Sequence, residues 1–186
     1  VMKTLYVSGY KPFELNIYKN SQPEVKYIKL FLQERLKQYA EEGLEWVIIS
    51  GQLGVELWAA EAAIRLKKNY GLKLAIITPF LEHTSKWNEE NQLYYQKIHG
   101  AADFVTTVFE QPYQGGYMFK AATDFIVNNT DGALVLYDDE REGSPKYTLR
   151  TLVDFTAEND YTMDIISLDD LSVFINDYLS NQWENG

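Results

Sequence analysis

Cysteine is absent from all 186 residues, which excludes disulfides, a thiolate metal site and a cysteine nucleophile. Histidine occurs only at His83 and His99, and neither has a partner at ligand spacing, so no metal centre is assigned. No Gly-x-Ser-x-Gly turn is present, and no visible motif assembles a Ser-His-Asp triad. No apolar run is long enough to cross a bilayer, and a membrane is not an expected partner. A strand-like segment already begins at Leu5, so no secretory leader is expected; Val1 ahead of Met2 reads as an addition and is set aside. Positive charge is in short supply. The 17 Lys and Arg face 27 Asp and Glu, for a formal net charge of −10. Such a chain repels polyanions, which argues against nucleic acid as a partner. A small ligand with one or two phosphates stays open, because a few N–H groups and one lysine suffice to hold it. These absences together fit a cytoplasmic location.

What is present is an alternation of strands and helices. Leu5 to Ser8, Trp46 to Ile49, Lys73 to Thr78, Phe104 to Phe109, Ala133 to Tyr137 and Met163 to Ile166 are short apolar runs without polar alternation. That pattern is expected of strands buried on both faces. Between them apolar residues recur at helical spacing, as in Val25, Ile28, Leu32, Leu36 and Tyr39. Ser21-Gln-Pro23-Glu24 reads as a capping box opening the first helix. Pro79 is expected to end the third strand. Met118, Phe119, Ala122, Phe125 and Ile126 are expected to face inward from the fourth helix, and Leu149, Leu152 and Val153 mark the fifth. Ser167 is expected to cap the last helix, with fraying after Asn181. No low-complexity linker divides the chain. Residues 1–186 therefore read as one α/β domain with a single doubly wound, mainly parallel, Rossmann-like sheet and helices on both faces.

In such sheets ligands bind beyond the carboxyl ends of the strands, so the loops there are the candidates. Ser50-Gly51-Gln52-Leu53-Gly54 runs from a strand straight into a helix and should present free N–H groups to a phosphate. The nucleotide reading as a whole requires those amides to be free of protein partners and open toward solvent. The turn lacks the full dinucleotide fingerprint and the P-loop Lys-Ser/Thr, and the plain alternative is a tight turn. Glu56 follows it. A carboxylate in a first helical turn is favourable without any ligand, but Glu56 could also hold sugar hydroxyls or act as a base or nucleophile. Gly9 and Lys11 follow the first strand, where the glycine permits close approach and the lysine supplies charge. Asp138 follows the fifth strand and could hold hydroxyls. Gly143, Ser144 and Lys146 open the next helix as a second phosphate cradle, or simply as its capped start. Phe80 or Trp87, after the third strand, could stack on a base, although in a chain this rich in aromatics core packing is the better explanation.

The segments Val7 to Leu15, Ile49 to Ala63 and Asp131 to Tyr147 resemble the YpsA family, of the SLOG superfamily that also holds the lysine-decarboxylase-like (LOG) proteins and DprA. The resemblance covers nearly the whole chain. It implies a Rossmann-like fold and a site for a nucleotide or nucleotide-derived ligand, with Gly51 to Gly54 as the glycine turn and Glu56 as its acid. The LOG phosphoribohydrolases carry Pro-Gly-Gly-x-Gly-Thr where this chain reads Glu142-Gly-Ser-Pro-Lys-Tyr-Thr148, a departure that argues against the same hydrolysis. DprA-like proteins bind single-stranded DNA, a role the acidic balance opposes. The first expectation is thus a sensor or regulator that binds a nucleotide, NAD or ADP-ribose-like ligand, signalling to a protein partner or a second copy of itself. The alternative is an enzyme that cleaves an N-glycosidic bond with Glu56 as its carboxylate.

Overall fold

The computed structural model describes residues 2–185; Val1 and Gly186 lie outside them. Six parallel strands form one sheet in the order β4-β3-β2-β1-β5-β6. They are β1 (Thr4–Gly9), β2 (Trp46–Ile49), β3 (Lys73–Phe80), β4 (Phe104–Phe109), β5 (Gly132–Leu136) and β6 (Thr162–Ile166). The helices are α1 (Pro23–Glu41), α2 (Val55–Tyr70), α3 (Glu89–Ala101), α4 (Tyr117–Asn128), α5 (Pro145–Thr156) and α6 (Leu168–Asn185), with a short 3-10 turn at Pro12–Leu15. The Rossmann-like reading therefore holds.

The hand of the crossovers decides which helices share a face. The chain steps from β1 outward to β4, then returns to place β5 on the other side of β1. Right-handed connections then put α1, α2 and α3 on one face and α4 and α5 on the other. The packing agrees: α1 lies against α2 and α6, α2 against α3, and α4 against α5. Strand order reverses at β1, between β2 and β5.

The central strands are buried almost throughout, as their unbroken apolar runs require. Close approach of α2 to β1 depends on Gly9, where a β-carbon would meet the Val55 side chain at 2.7 Å. Ser167 caps α6 as expected: its hydroxyl accepts the Asp170 N–H and the Asp170 carboxylate accepts the Ser167 N–H.

Four local expectations fail. The first helix is capped at Gln22, not through a Ser21 box, and the Gln22 carboxamide instead accepts the N–H groups of Tyr18 and Lys19. Strand β3 continues through Pro79, because β2 has ended opposite Ile76 and leaves that edge of β3 open. Phe119 and Phe125 are exposed, since only two helices cover their face of the sheet and neither is packed on its outer side. Helix α6 holds to Asn185 instead of fraying after Asn181.

Candidate functional site

The β2–α2 turn forms the amide nest that its sequence predicts, but the chain fills it with its own carboxylate. Glu56 turns back from the first turn of α2. Its Oε1 accepts the Ser50 N–H at 2.6 Å and the Ser50 hydroxyl at 2.8 Å. The amides of Gly51 and Gln52 act on the same carboxylate. The Val55 N–H is donated to the Tyr10 carbonyl. The amides at the start of the turn, from Ser50 to Gln52, therefore face a carboxylate of the chain itself, and an anion placed over them would abut it. Gly54 has a packing role instead: its φ is +95°, and a β-carbon there would collide with the Tyr10 carbonyl oxygen. The Gly51 carbonyl accepts a hydrogen bond from His83 Nε2, which seats that ring between Trp87 and Tyr95. Burial lowers the His83 pKa, keeping the imidazole neutral.

The second predicted cradle is filled in the same way. Glu14 accepts the Ser144 N–H and hydroxyl at the head of α5, and also the Lys11 N–H. Pro145 has no N–H, and that of Lys146 goes back to the Gly143 carbonyl. The Lys146 ammonium lies over the Tyr147 ring. Asp138, expected to hold ligand hydroxyls, instead accepts the N–H groups of Glu140 and Leu168, tying the end of β5 to the head of α6. Gly143 packs against Glu14 and Tyr10, so both residues help to hold the loops at these strand ends together.

What the fold does open is a cavity of about 550 Å³ at the carboxyl ends of β1, β2 and β3, under α4 and α5. It lies at the reversal of strand order, where open parallel sheets bind ligands. Of the sequence candidates, Gly9, Lys11, Ser50, Gln52, Glu56 and Ser144 line it; Gly51, Gly54, Asp138, Gly143 and Lys146 do not. Tyr6 and Ser8, two apart on β1, point into it from the sheet. Phe119, Lys120 and Thr123 come from α4, and Tyr147, Thr148 and Thr151 from α5. None of these eight was singled out from sequence as a ligand residue. Ser8 carried a signal, a polar residue at the end of an apolar strand. The threonines did not, because a helical threonine reads as an exposed one until the partner helix is known.

The cavity has a polar floor and an aromatic wall. Glu56 is 5 % exposed and forms no ion pair among the described residues. Burial pushes its carboxyl up to about 7, against the pull of the turn amides and the Ser50 hydroxyl. Beside it, burial and the Glu56 charge raise the Tyr6 phenol far above its ordinary value, so it stays neutral, within reach of the Ser8, Thr123 and Thr148 hydroxyls. Phe119 and Tyr147, both partly exposed, form the wall. Lys11 and Lys120 are the only cationic side chains in the lining, and Lys120 is largely exposed and pairs with Asp124. A Glu56 carboxyl raised to about 7 and flanked by hydroxyls suits hydrogen bonds to a polyhydroxy group or a proton transfer near neutral pH.

A wholly parallel sheet, helices on both faces and a cavity at the strand-order reversal define a Rossmann-like α/β protein. The family model YpsA, described as the YspA SLOG family, matches residues 5–171, and the chain belongs to that family. A UPF0398 protein of Macrococcus caseolyticus is 61 % identical over 96 % of this chain and 97 % of its own length. UPF0398 proteins of Staphylococcus haemolyticus and Staphylococcus aureus are 54 % and 50 % identical, each over 98 % of this chain and 97 % of their own. Among solved structures, DNA processing protein A of Helicobacter pylori, described with its single-stranded DNA binding mode, superposes with a TM-score of 0.49 at 15 % identity. That likeness covers 95 % of this chain and 81 % of the other. Among the described residues no helix is long and apolar enough to cross a membrane.

Proposed function

We propose that this chain binds a nucleotide-derived small molecule, of the NAD or ADP-ribose kind, in the cavity under α4 and α5 and serves as a sensor in the cytoplasm. One observation carries the reading: a carboxylate without a cation partner, Glu56, sits buried on the floor of a ligand-sized cavity at the strand-order reversal. A buried carboxylate without a cation is costly even when it accepts hydrogen bonds from the turn, and a site that hydrogen-bonds sugar hydroxyls is one reason to keep it. The aromatic wall of Phe119 and Tyr147 offers a base a face to stack on. Volumes of this order are typical of small-molecule sites. The output would pass to a protein partner or a second copy, over residues 1–186 acting as one domain.

The enzymatic alternative rests on the same residue. Raised to about 7, Glu56 could serve as base or nucleophile toward an anomeric carbon. Glycosidic cleavage also calls for an acid at the leaving base, and no second carboxylate lines the cavity among the described residues. Binding without turnover is therefore the favoured reading.

Thermal unfolding with millimolar NAD, ADP-ribose and mononucleotides tests it, because a ligand at 100 times its Kd stabilises by roughly 2.7 kcal/mol. At least one compound should raise the Tm of the wild type, and Glu56→Gln should reduce that rise. No shift with any of them overturns the reading. Free base released by the wild type and not by Glu56→Gln would make the enzymatic alternative the right one.

A further inference from the structure

Each of the two amide-rich turns that border the cavity already holds a carboxylate of the chain, Glu56 on Ser50 ahead of α2 and Glu14 on Ser144 at the head of α5. These are the places where a Rossmann-like sheet ordinarily receives a phosphate. The floor between them is acidic and hydroxylic: Glu56, Tyr6, Ser8 and Thr148, without a cation. Positive charge enters the lining only through Lys11, after β1, and Lys120, on the exposed side of α4. A phosphate pushed to the floor would lie against the Glu56 carboxylate in a water-poor space, where repulsion is least screened. A sugar there would instead donate its hydroxyls to Glu56 and exchange hydrogen bonds with the neutral hydroxyls around it.

We propose that the cavity admits its ligand uncharged end first, with a nucleoside-type sugar on the Glu56 floor and the phosphate left at the mouth between Lys11 and Lys120. This rests on the reading of the cavity as a site for a nucleotide-derived ligand. It inverts the orientation suggested by the glycine turn alone. It also makes the phosphate a secondary handle: the cavity should accept the dephosphorylated nucleoside, and phosphate should add affinity without being indispensable.

Titration calorimetry on the full chain tests the orientation with matched pairs: adenosine with AMP and ADP-ribose, and guanosine and uridine with their 5′-monophosphates. Three proteins are compared, the wild type, Lys11→Ala/Lys120→Ala and Glu56→Gln. Both lysines reach solvent, so the double variant should unfold at the wild-type temperature. In the double variant the phosphorylated partner of a binding pair should lose about tenfold or more in affinity, and the nucleoside less than about threefold. In Glu56→Gln both members should weaken by the same factor, because each loses the same sugar contact. Tighter nucleotide binding to Glu56→Gln, or nucleotide affinity indifferent to loss of the two lysines, overturns the orientation while leaving the site assigned. Failure of every compound to bind the wild type at millimolar concentration overturns the site itself, and the orientation with it.

Discussion

At the scale of single residues, Glu56 illustrates how one side chain can satisfy a backbone and still be poised for a ligand. Three turn amides and a hydroxyl stabilise its charge, yet burial outweighs them and its carboxyl titrates near 7. The consequence for stability has a definite sign. The unfolded chain releases the proton near 4.5, while the folded chain keeps it until about 7. The contribution of this group is therefore complete below 4.5 and is lost as pH rises through 7. Urea unfolding at pH 4.5 and pH 8 should show the wild type losing roughly 3 kcal/mol more than Glu56→Gln over that interval. Parallel pH profiles for the two proteins would mean that Glu56 titrates at an ordinary value.

At the scale of elements, the heads of α2 and α5 depend on contacts from the loop after β1. Tyr10 accepts the first amide of α2 through its carbonyl, and its hydroxyl meets the backbone of Asp138 and Arg141 after β5. Glu14, a few residues on, caps α5. Gly54 belongs to this packing and lies outside the cavity lining. Alanine there meets the Tyr10 carbonyl and adopts a positive φ, which costs 1–2 kcal/mol in backbone strain before the collision is counted. Gly54→Ala should destabilise by about 3 kcal/mol or more, read as a lower denaturant midpoint at unchanged slope. A wild-type midpoint would show that the two loops can part without cost. Glycine turns at strand ends invite a phosphate reading from sequence. Here Gly54 serves loop-against-loop packing, and nothing in its local sequence separates the two.

At the scale of the whole molecule, the charge of −10 and the two lysines of the cavity lining set what can approach. A single nucleotide needs few cations, whereas a strand of nucleic acid needs a continuous basic track. Anisotropy with a labelled oligothymidine at 150 mM salt should give no saturable binding, or a Kd weaker than about 100 μM. Micromolar binding would reveal a basic path that the charge balance conceals. The two faces of the sheet are also unequal, with α1, α2, α3 and α6 on one and only α4 and α5 on the other. The thinly covered face is the one that carries the cavity and leaves Phe119, Phe125 and Tyr147 partly exposed.

The strands and helices, their order and the parallel sheet were legible in the amino-acid sequence, because unbroken apolar runs and helical spacing depend on neighbours close along the chain. The bounds of β2 and β4 could be read outright for that reason. The sequence pointed to the carboxyl ends of the strands, where the cavity opens, and six of the eleven ligand-binding candidates line it. Folding alone decided which groups meet there. Glu56 and Glu14 take the amides that local sequence leaves free, one from six residues beyond Ser50 and the other from 130 residues before Ser144. Tyr6, Thr123 and Thr148 come to one floor from three elements. Local propensity determines which amides are left over at a helix head. Which carboxylate reaches them is decided in three dimensions, by the path of the turn for Glu56 and by a contact between segments far apart in the chain for Glu14.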